Sequence, residues 1–340
     1  MKRFSISGRN ALGLVLAFVL ALSLLGGCAQ ATPTPDVTPE AAPTPGPTPE
    51  ITPEPTPGVP SDITPLLWKV TAPDGQIMYL FGSIHAADEA IYPLPVYIMD
   101  AFNECGYLAV EVDTLALEGD METQMAMSLS MMYRFGETIV DDIGQELHAR
   151  AKEVMAELDL EGIPLEMLDG LKPYMWANLL MAAAVERAGL SLELGLDMHF
   201  LKEAGERGME ILEVESAQAQ LELMLGFSPP LQAALLEGSL DIDAAAQGLE
   251  ELYGLWKEGD APALEAVRNL EFEGMPEELA EEYWDAMFTR RKPQMLQAAI
   301  RYMNEGKAVF YVVGLLHMIG EGGLVDLLRE EGYTVERVRP

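Results

Sequence analysis

Tyr79–His85 reads YLFGSIH, and Tyr311–His317 reads YVVGLLH. Each is a run of strand-forming residues, then Gly, then two residues, then His. The chain has four histidines, and two of them close this pattern, one near each end of the part that can fold. A Gly at a strand end lets the backbone turn sharply or approach a neighbour closely. A His three positions later projects from the end of the strand, where open sheets place their ligand sites. The segments flanking the two copies do not match, so meeting in space accounts for them better than duplication does.

Around the first copy, Leu66–Pro73 (LLWKVTAP), a turn at Asp74-Gly75 and Gln76–Gly82 predict a β-hairpin. Pro95–Asn103 reads as a short helix and Tyr107–Asp113 (YLAVEVD) as a strand with Glu111 inside it. Around the second copy, Ala308–Gly314 reads as a strand, Glu321–Glu330 as a helix and Tyr333–Val338 as a closing strand. Between Leu117 and Met303 the spacing is helical, apart from a short strand in Met209–Ser216. Pro173 opens one such helix and Gly189 stops it. Neither end holds enough strands for a sheet of its own. The expected fold is therefore α/β with mixed α+β character: a central mixed sheet built from both chain ends, carrying a long helical insertion. The two histidine motifs become neighbours on one edge of that sheet.

Two further parts precede this domain. Lys2, Arg3 and Arg9 lead into the apolar run Ala11–Leu25, the pattern of a secretory signal rather than a full transmembrane span. The run ends in Leu25-Gly26-Gly27-Cys28, which resembles a lipobox. Residues 1–28 are read as a lipoprotein signal with Cys28 lipidated; an ordinary cleaved signal or an uncleaved anchor are the alternatives. Residues 29–61 form a Pro/Thr stalk that holds eleven of the 23 prolines. Such a stalk builds no core and favours extended polyproline II, reaching roughly 90 Å at about 3.1 Å per residue. The folded domain is 62–340, expected outside the cytoplasm and lipid-anchored to a bacterial membrane. A net charge of −34 argues against nucleic acid as a partner. Cys105 is then the one remaining thiol, expected as a buried apolar residue.

The motifs suggest chemistry. His85 and His317 would meet beyond the strand ends, joined by Glu111 or Asp113. Two imidazoles and a carboxylate leave positions open on a first-row metal, which activates a bound water, and a second carboxylate can serve as base. Glu111 in an apolar strand needs a partner, either a metal or an Arg. His148 and His199 fall in helical patterns and are expected to be structural. The Met-rich Met121–Tyr133 (METQMAMSLSMMY) is expected as core or adaptable apolar surface, with soft-metal binding or a groove for apolar peptides as alternatives.

The ordered set YLFGSIH…EVD…YVVGLLH resembles the TraB/GumN (TraB/PrgY/GumN) family, which includes the Tiki metalloprotease domain. The resemblance extends through ELGLDMHFLKEAGERGMEILEVESAQAQ, where Gly195, Asp197, Glu213 and Gln218 match the family pattern. It continues through WKEGD (Trp256–Asp260) and GEGGLVDLLREEGYTVERV (Gly320–Val338). It implies an EreA/ChaN-like domain and a site formed by Gly82, His85, Glu111, Gly314 and His317. It also implies a divalent metal (manganese, cobalt or zinc) on His85, Glu111 and His317, with Glu213 as a further base or supporting group. One departure is TRRKPQM: Arg291-Lys292 stands where many members carry Arg-Asn, leaving Arg290 or Arg291 as the family's Arg, with Arg291 the choice here. The expected function is a metal-dependent, peptidase-like hydrolase at the cell surface. The alternatives are a protein that sequesters a peptide or pheromone, or a haem or metal binder.

Overall fold

The computed structural model describes residues 60–158, 165–268 and 275–340. The expected signal, Cys28 and the stalk as far as Val59 lie outside the described residues. Among the described residues no helix is long and apolar enough to cross a membrane.

The expected sheet is present. Its strands are β1 (Leu67–Thr71), β2 (Ile77–Ser83), β3 (Tyr107–Val110), β4 (Glu210–Glu213), β5 (Val309–Gly314) and β6 (Thr334–Val338), in the order β4-β3-β5-β2-β1-β6. β1 and β2 form the hairpin, with Trp68 opposite Leu80, and β6 adds to β1 antiparallel. Gly75 makes the turn at φ +92°, a conformation that suits a residue without Cβ. β2, β5, β3 and β4 run parallel, so their carboxyl ends share one edge. β5, from the chain's far end, lies between β2 and β3 and is buried from Val309 to Val313. That continuous apolar run, without alternation, is what a strand covered on both faces requires.

Helices α1 (Val96–Asn103) and α2 (Thr114–Gly119) flank β3 in sequence. The insertion then runs through α3 (Met121–Ser130), α4 (Ile139–Met155), α5 (Leu165–Leu168), α6 (Pro173–Arg187), α7 (Leu196–Arg207), α8 (Ala217–Leu225), α9 (Pro229–Ser239), α10 (Ile242–Glu258), α11 (Ala261–Arg268), α12 (Glu277–Trp284) and α13 (Lys292–Asn304). A single helical turn, α14 (Leu315–Met318), and α15 (Leu324–Glu330) follow β5. Helix α6 starts with Pro173 at its first position and ends before Gly189 at φ +69°. It is buried nearly all round because it serves two cores. Met175 and Met181 join the main core, and Trp176 and Leu180 join a satellite core with Ile139, Leu147, Met155 and Leu236.

An aromatic cluster ties the sheet to its helices. Phe200 on α7 lies 4.8 Å from Phe310 and 5.4 Å from Phe81, and Phe102 on α1 lies 5.1 Å from Phe200. Edge-on and tilted pairs of this kind add about 0.5–1.5 kcal/mol each beyond the area they bury. The insertion also grips the first histidine motif directly: Trp256 on α10 donates from Nε1 to the Gly82 carbonyl at 2.8 Å.

Three expected boundaries shift. β3 ends at Val110, so Glu111 is the first residue beyond the strand, not inside it. The strand in Met209–Ser216 shortens to β4, and the last helix begins at Leu324, after a glycine-bearing turn. Cys105 is buried, and burial pushes its thiol up to about 12, so it is inert at neutral pH.

Candidate active site

The carboxyl ends of β2, β5 and β3 deliver His85, Gly314, His317 and Glu111 to one cleft. Register sets the offset between the two motifs. Ser83 pairs with Gly314, so the second Gly lies opposite the first Ser rather than opposite Gly82. The copies therefore present their histidines differently. His85 leaves β2 in an irregular segment, whereas His317 lies in the helical turn α14. Gly82 has a packing role: a Cβ there would come within 2.3 Å of Leu315 Cδ1. Gly314 has a site role. A Cβ on it would lie 3.3 Å from Glu111 Oε1, 3.5 Å from His85 Nε2 and 3.6 Å from His317 Cδ2. Three functional side chains thus converge where Gly314 leaves room.

His85 is held by the start of α7. Its Nδ1 bonds Asp197 Oδ2 at 2.7 Å. The approach depends on Gly195, whose Cβ would come within 2.3 Å of the His85 carbonyl oxygen. The Leu196 N–H donates to the Ile84 carbonyl at 3.0 Å, closing the junction. Asp197 lies in the first turn of α7, where the helix dipole favours a carboxylate. Burial disfavours a charged imidazole, but the charge and hydrogen bond of Asp197, with Glu111 behind it, outweigh burial and raise the His85 pKa. His85 Nε2 makes no hydrogen bond among the described residues and faces the cleft.

Glu111 has an Arg partner, one of the two options its burial demands. Its Oε2 accepts from Arg291 Nη2 at 2.5 Å and from Gln220 Nε2 at 3.0 Å, and its Oε1 accepts from the Gly314 N–H at 2.7 Å. Burial opposes its charge, but Arg291, then the two histidines and the Gly314 N–H, hold its carboxyl well below the usual range. Arg291 is itself buried. It grips Glu215 through Nε at 2.9 Å and Nη2 at 2.5 Å, and donates from Nη1 to the Met287 carbonyl at 3.3 Å. Nη1 also lies 3.2 Å from His317 Nε2. A guanidinium only donates, so this contact assigns the lone pair to Nε2 and the proton of a neutral ring to Nδ1. Despite its burial, the two carboxylates raise the pKa of Arg291 further and keep it charged.

The structure distinguishes neighbours that the sequence left equivalent. Arg290 is exposed and pairs with Asp285 at 2.6 Å, while Arg291 enters the site. Glu213 does not join the cluster; it is exposed and accepts from the Asp113 N–H at 2.9 Å. Glu215, two residues on, is the buried partner of Arg291. Likewise Gln218 reaches only Glu222 on its own helix, and Gln220 bridges Glu111 and Glu215. The stretch EVESAQAQ (Glu213–Gln220) offered two Glu and then two Gln, each pair two residues apart, and only the chain's direction after β4 selects between them. His148 bonds Asp169 at 2.7 Å against Trp176, and His199 packs between Tyr92 and Phe200, so both lie outside the cluster.

Above this polar floor the cleft, about 800 Å³ counting its open mouth, has apolar walls. They come from Met181 and Val185 of α6, Leu249 and Leu252 of α10, and Leu190 and Leu192 between α6 and α7. Ser83 also lines the cleft and is 3% exposed; its hydroxyl is buried and has no hydrogen-bond partner among the described residues.

The donors suit a first-row ion in type but not in arrangement. No group of three His, Cys, Asp or Glu side chains among the described residues is placed to hold an ion. The Arg291 guanidinium lies against both Glu111 and His317, and the His317 nitrogen nearest the cluster faces that cation. Binding a dication on His85, Glu111 and His317 would require Arg291 to withdraw from both. The three-ligand site implied by resemblance therefore does not fit the site as it is built.

The chain is 24% identical to the uncharacterized protein YbaP of Escherichia coli (strain K12) over 261 residues, 76% of this chain and 90% of that protein. The Shigella flexneri YbaP matches equally, at 24% over 261 residues. No solved structure gives a significant match. The profile of the TraB/PrgY/gumN family matches residues 66–337, which takes in all of the sheet but its last residue, Val338, and every residue of the cluster, and the chain belongs to that family.

Proposed function

We propose that this protein is a hydrolase of peptides, held outside the cytoplasm by a lipid on Cys28 and a Pro/Thr stalk, with His85 as its general base. The carrying observation is the His85–Asp197 pair: Nδ1 is fixed by a carboxylate and Nε2 is left open to a cleft with apolar walls. Nε2 takes a proton from a water held against the substrate carbonyl carbon. The water oxygen bonds to that carbon, the C–N bond breaks, and the imidazolium returns the proton to the leaving amine. Asp197 stabilises the imidazolium while it exists. The Ser83 hydroxyl is the donor available to the oxygen that gains negative charge. Met181, Leu249 and Leu252 receive an apolar side chain of the substrate. Arg291, Glu111 and Glu215 position the floor rather than contact the reacting atoms, because each already has protein partners.

A second reading, sequestration of a peptide without turnover, is favoured by that same saturation of Arg291, which leaves the guanidinium no free edge for a substrate anion. One experiment separates the readings. The full chain in phosphatidylcholine nanodiscs is incubated with a mixture of apolar peptides in EDTA and, in parallel, with manganese, cobalt or zinc. Cleavage in EDTA that disappears in His85→Ala and falls without vanishing in Asp197→Asn supports the hydrolase. Binding without cleavage under every condition supports sequestration. Cleavage only with added metal restores the metal-dependent activity implied by the family resemblance and sinks the His85-only mechanism. The anchor is tested separately: Cys28→Ala should release the protein to the medium, and retention in the membrane fraction would refute lipidation at Cys28.

A further inference from the structure

Outside the cleft, the large apolar side chains left in water are concentrated in one place. Met121, Met125, Leu129, Met132, Phe135 and Met167 are 47–108% exposed, and among the described residues the one other exposed large hydrophobic is Val96. None of the six lines the cleft. Met121, Met125 and Leu129 fall four residues apart on α3, a single stripe along that helix, while Met127 faces the core. The stripe continues past the helix. The Tyr133 N–H donates to the Gly170 carbonyl at 2.8 Å and the Lys172 N–H to the Met131 carbonyl at 2.9 Å, bringing the segment around Met132 against the one that follows Met167. The Met132 methyl lies 3.9 Å from where a Gly170 Cβ would be. Six scattered hydrophobics would need no explanation, but a joined stripe marks a contact surface.

The rim of the stripe identifies the occupant. Glu118, Asp120, Glu122 and Glu137 are exposed around it, with Arg134 the one cation in that stretch, and the whole chain carries −34. An anionic lipid surface or a second copy would bring like charge to this rim. Methionine thioethers are flexible and polarisable and adapt to varied apolar shapes. We propose that this face docks a cationic amphipathic helix of a partner protein, its apolar side on the Met stripe and its lysines or arginines on the acidic rim. The proposal does not depend on the chemistry of the cleft.

The test uses the full chain in phosphatidylcholine nanodiscs, with empty discs subtracted. Binding of a fluorescent amphipathic peptide of leucine and lysine is read by anisotropy beside its leucine–glutamate counterpart. The lysine peptide should bind, more weakly as salt rises, and the glutamate peptide should not. Met125→Glu/Leu129→Glu should weaken binding about tenfold or more, although it makes the surface more negative. Met125→Leu should leave it unchanged. Both positions are exposed, so the substitutions leave the core intact. Equal binding by the double variant would reduce the interaction to bulk charge and overturn the proposal. So would binding of neither peptide. Sedimentation showing a wild-type dimer that the double variant lacks would make a second copy the occupant and also overturn it.

Discussion

Replacing Arg291 by Met removes a buried cation from between two buried carboxylates. Glu111 is 12% and Glu215 6% exposed at the side chain, and Arg291 is 8% exposed. The Met side chain fills much of the volume, so the cavity contribution is small. What remains is Glu215 with Gln220 alone, and Glu111 with Gln220 and the Gly314 N–H. Removing one partner from a buried ion pair destabilises by about 3–5 kcal/mol, because the charge left behind is not resolvated. For a domain of this size that is a fall in Tm of about 6–20 °C. The charge origin has a signature. Arg291 holds the Glu111 carboxyl low, so without it Glu111 protonates at higher pH than in the wild type, and the deficit should be largest near neutral pH and shrink as pH falls. Arg291→Met/Glu111→Gln/Glu215→Gln should recover most of the loss, since no buried charge is then unpaired. Urea unfolding followed by circular dichroism at neutral and lower pH reads all of this. An Arg291→Met variant within about 1 kcal/mol of wild type at neutral pH, or a deficit independent of pH, would refute the view of Arg291 as the cation that holds this site together.

Other perturbations test single parts of the site. Ser83→Ala removes a buried hydroxyl without a protein partner, so the unliganded protein should be as stable or up to about 1–3 kcal/mol more stable, while peptide turnover falls about tenfold or more; a destabilised, fully active variant would make Ser83 structural. Gly314→Ala adds a Cβ to backbone at φ −50°, where any residue is at ease, so the fold should persist; the crowding at 3.3–3.6 Å from Glu111 and the two histidines should lower turnover, and full activity would show that the space is not used. His85, with its pKa raised above 6.5, should give an acid limb in the pH profile of turnover above that value, and Asp197→Asn should move the limb lower; an unmoved limb would exclude His85 as the titrating base. Stability runs the other way: the charged His85–Asp197 pair stabilises fully below the ordinary histidine pKa, and that contribution is lost as pH rises through the raised one.

Much of this architecture was legible from two seven-residue stretches. Strands at both ends of the chain with helices between them have few ways to bury their apolar faces, and β5 pairing with β2 follows from that alone. The helix stops were also legible, since Pro173 and Gly189 act locally. The partners were harder to read. Glu213 and Glu215 have the same chemistry and spacing parity, and their fates differ because β4 ends at Glu213 and the chain then turns inward. Arg290 and Arg291 both follow the π-helical turn Asp285–Thr289, which sequence periodicity does not reveal and which breaks the α-helical phase that would tell which of them points inward. Glu111 was recognised as needing a partner but not which one, because the choice depends on Arg291 returning from 180 residues away.

The repeated motif owes its likeness to strand ends, not to equivalent roles. Both copies lie at the ends of parallel neighbours, where Gly82 makes room for Leu315 and Gly314 for the cluster, and both place an imidazole near the same point. Their surroundings then diverge. His85 meets an acid, which raises its pKa and leaves Nε2 free to accept a proton. His317 meets a guanidinium, whose Nη1 lies 3.2 Å from its Nε2. What sets the two histidines apart is Arg291, which lies against His317 Nε2 and Glu111 and leaves His85 Nε2 as the open nitrogen of the pair. If Arg291 is the resident cation, neutralising it should do what supplying metal to the wild type does not: free His317, Glu111 and Glu215 together and open the site to a dication. Manganese should therefore raise the Tm of Arg291→Met and leave that of the wild type unchanged. A wild-type chain that gains stability from manganese and loses the gain in His85→Ala would reverse this assignment.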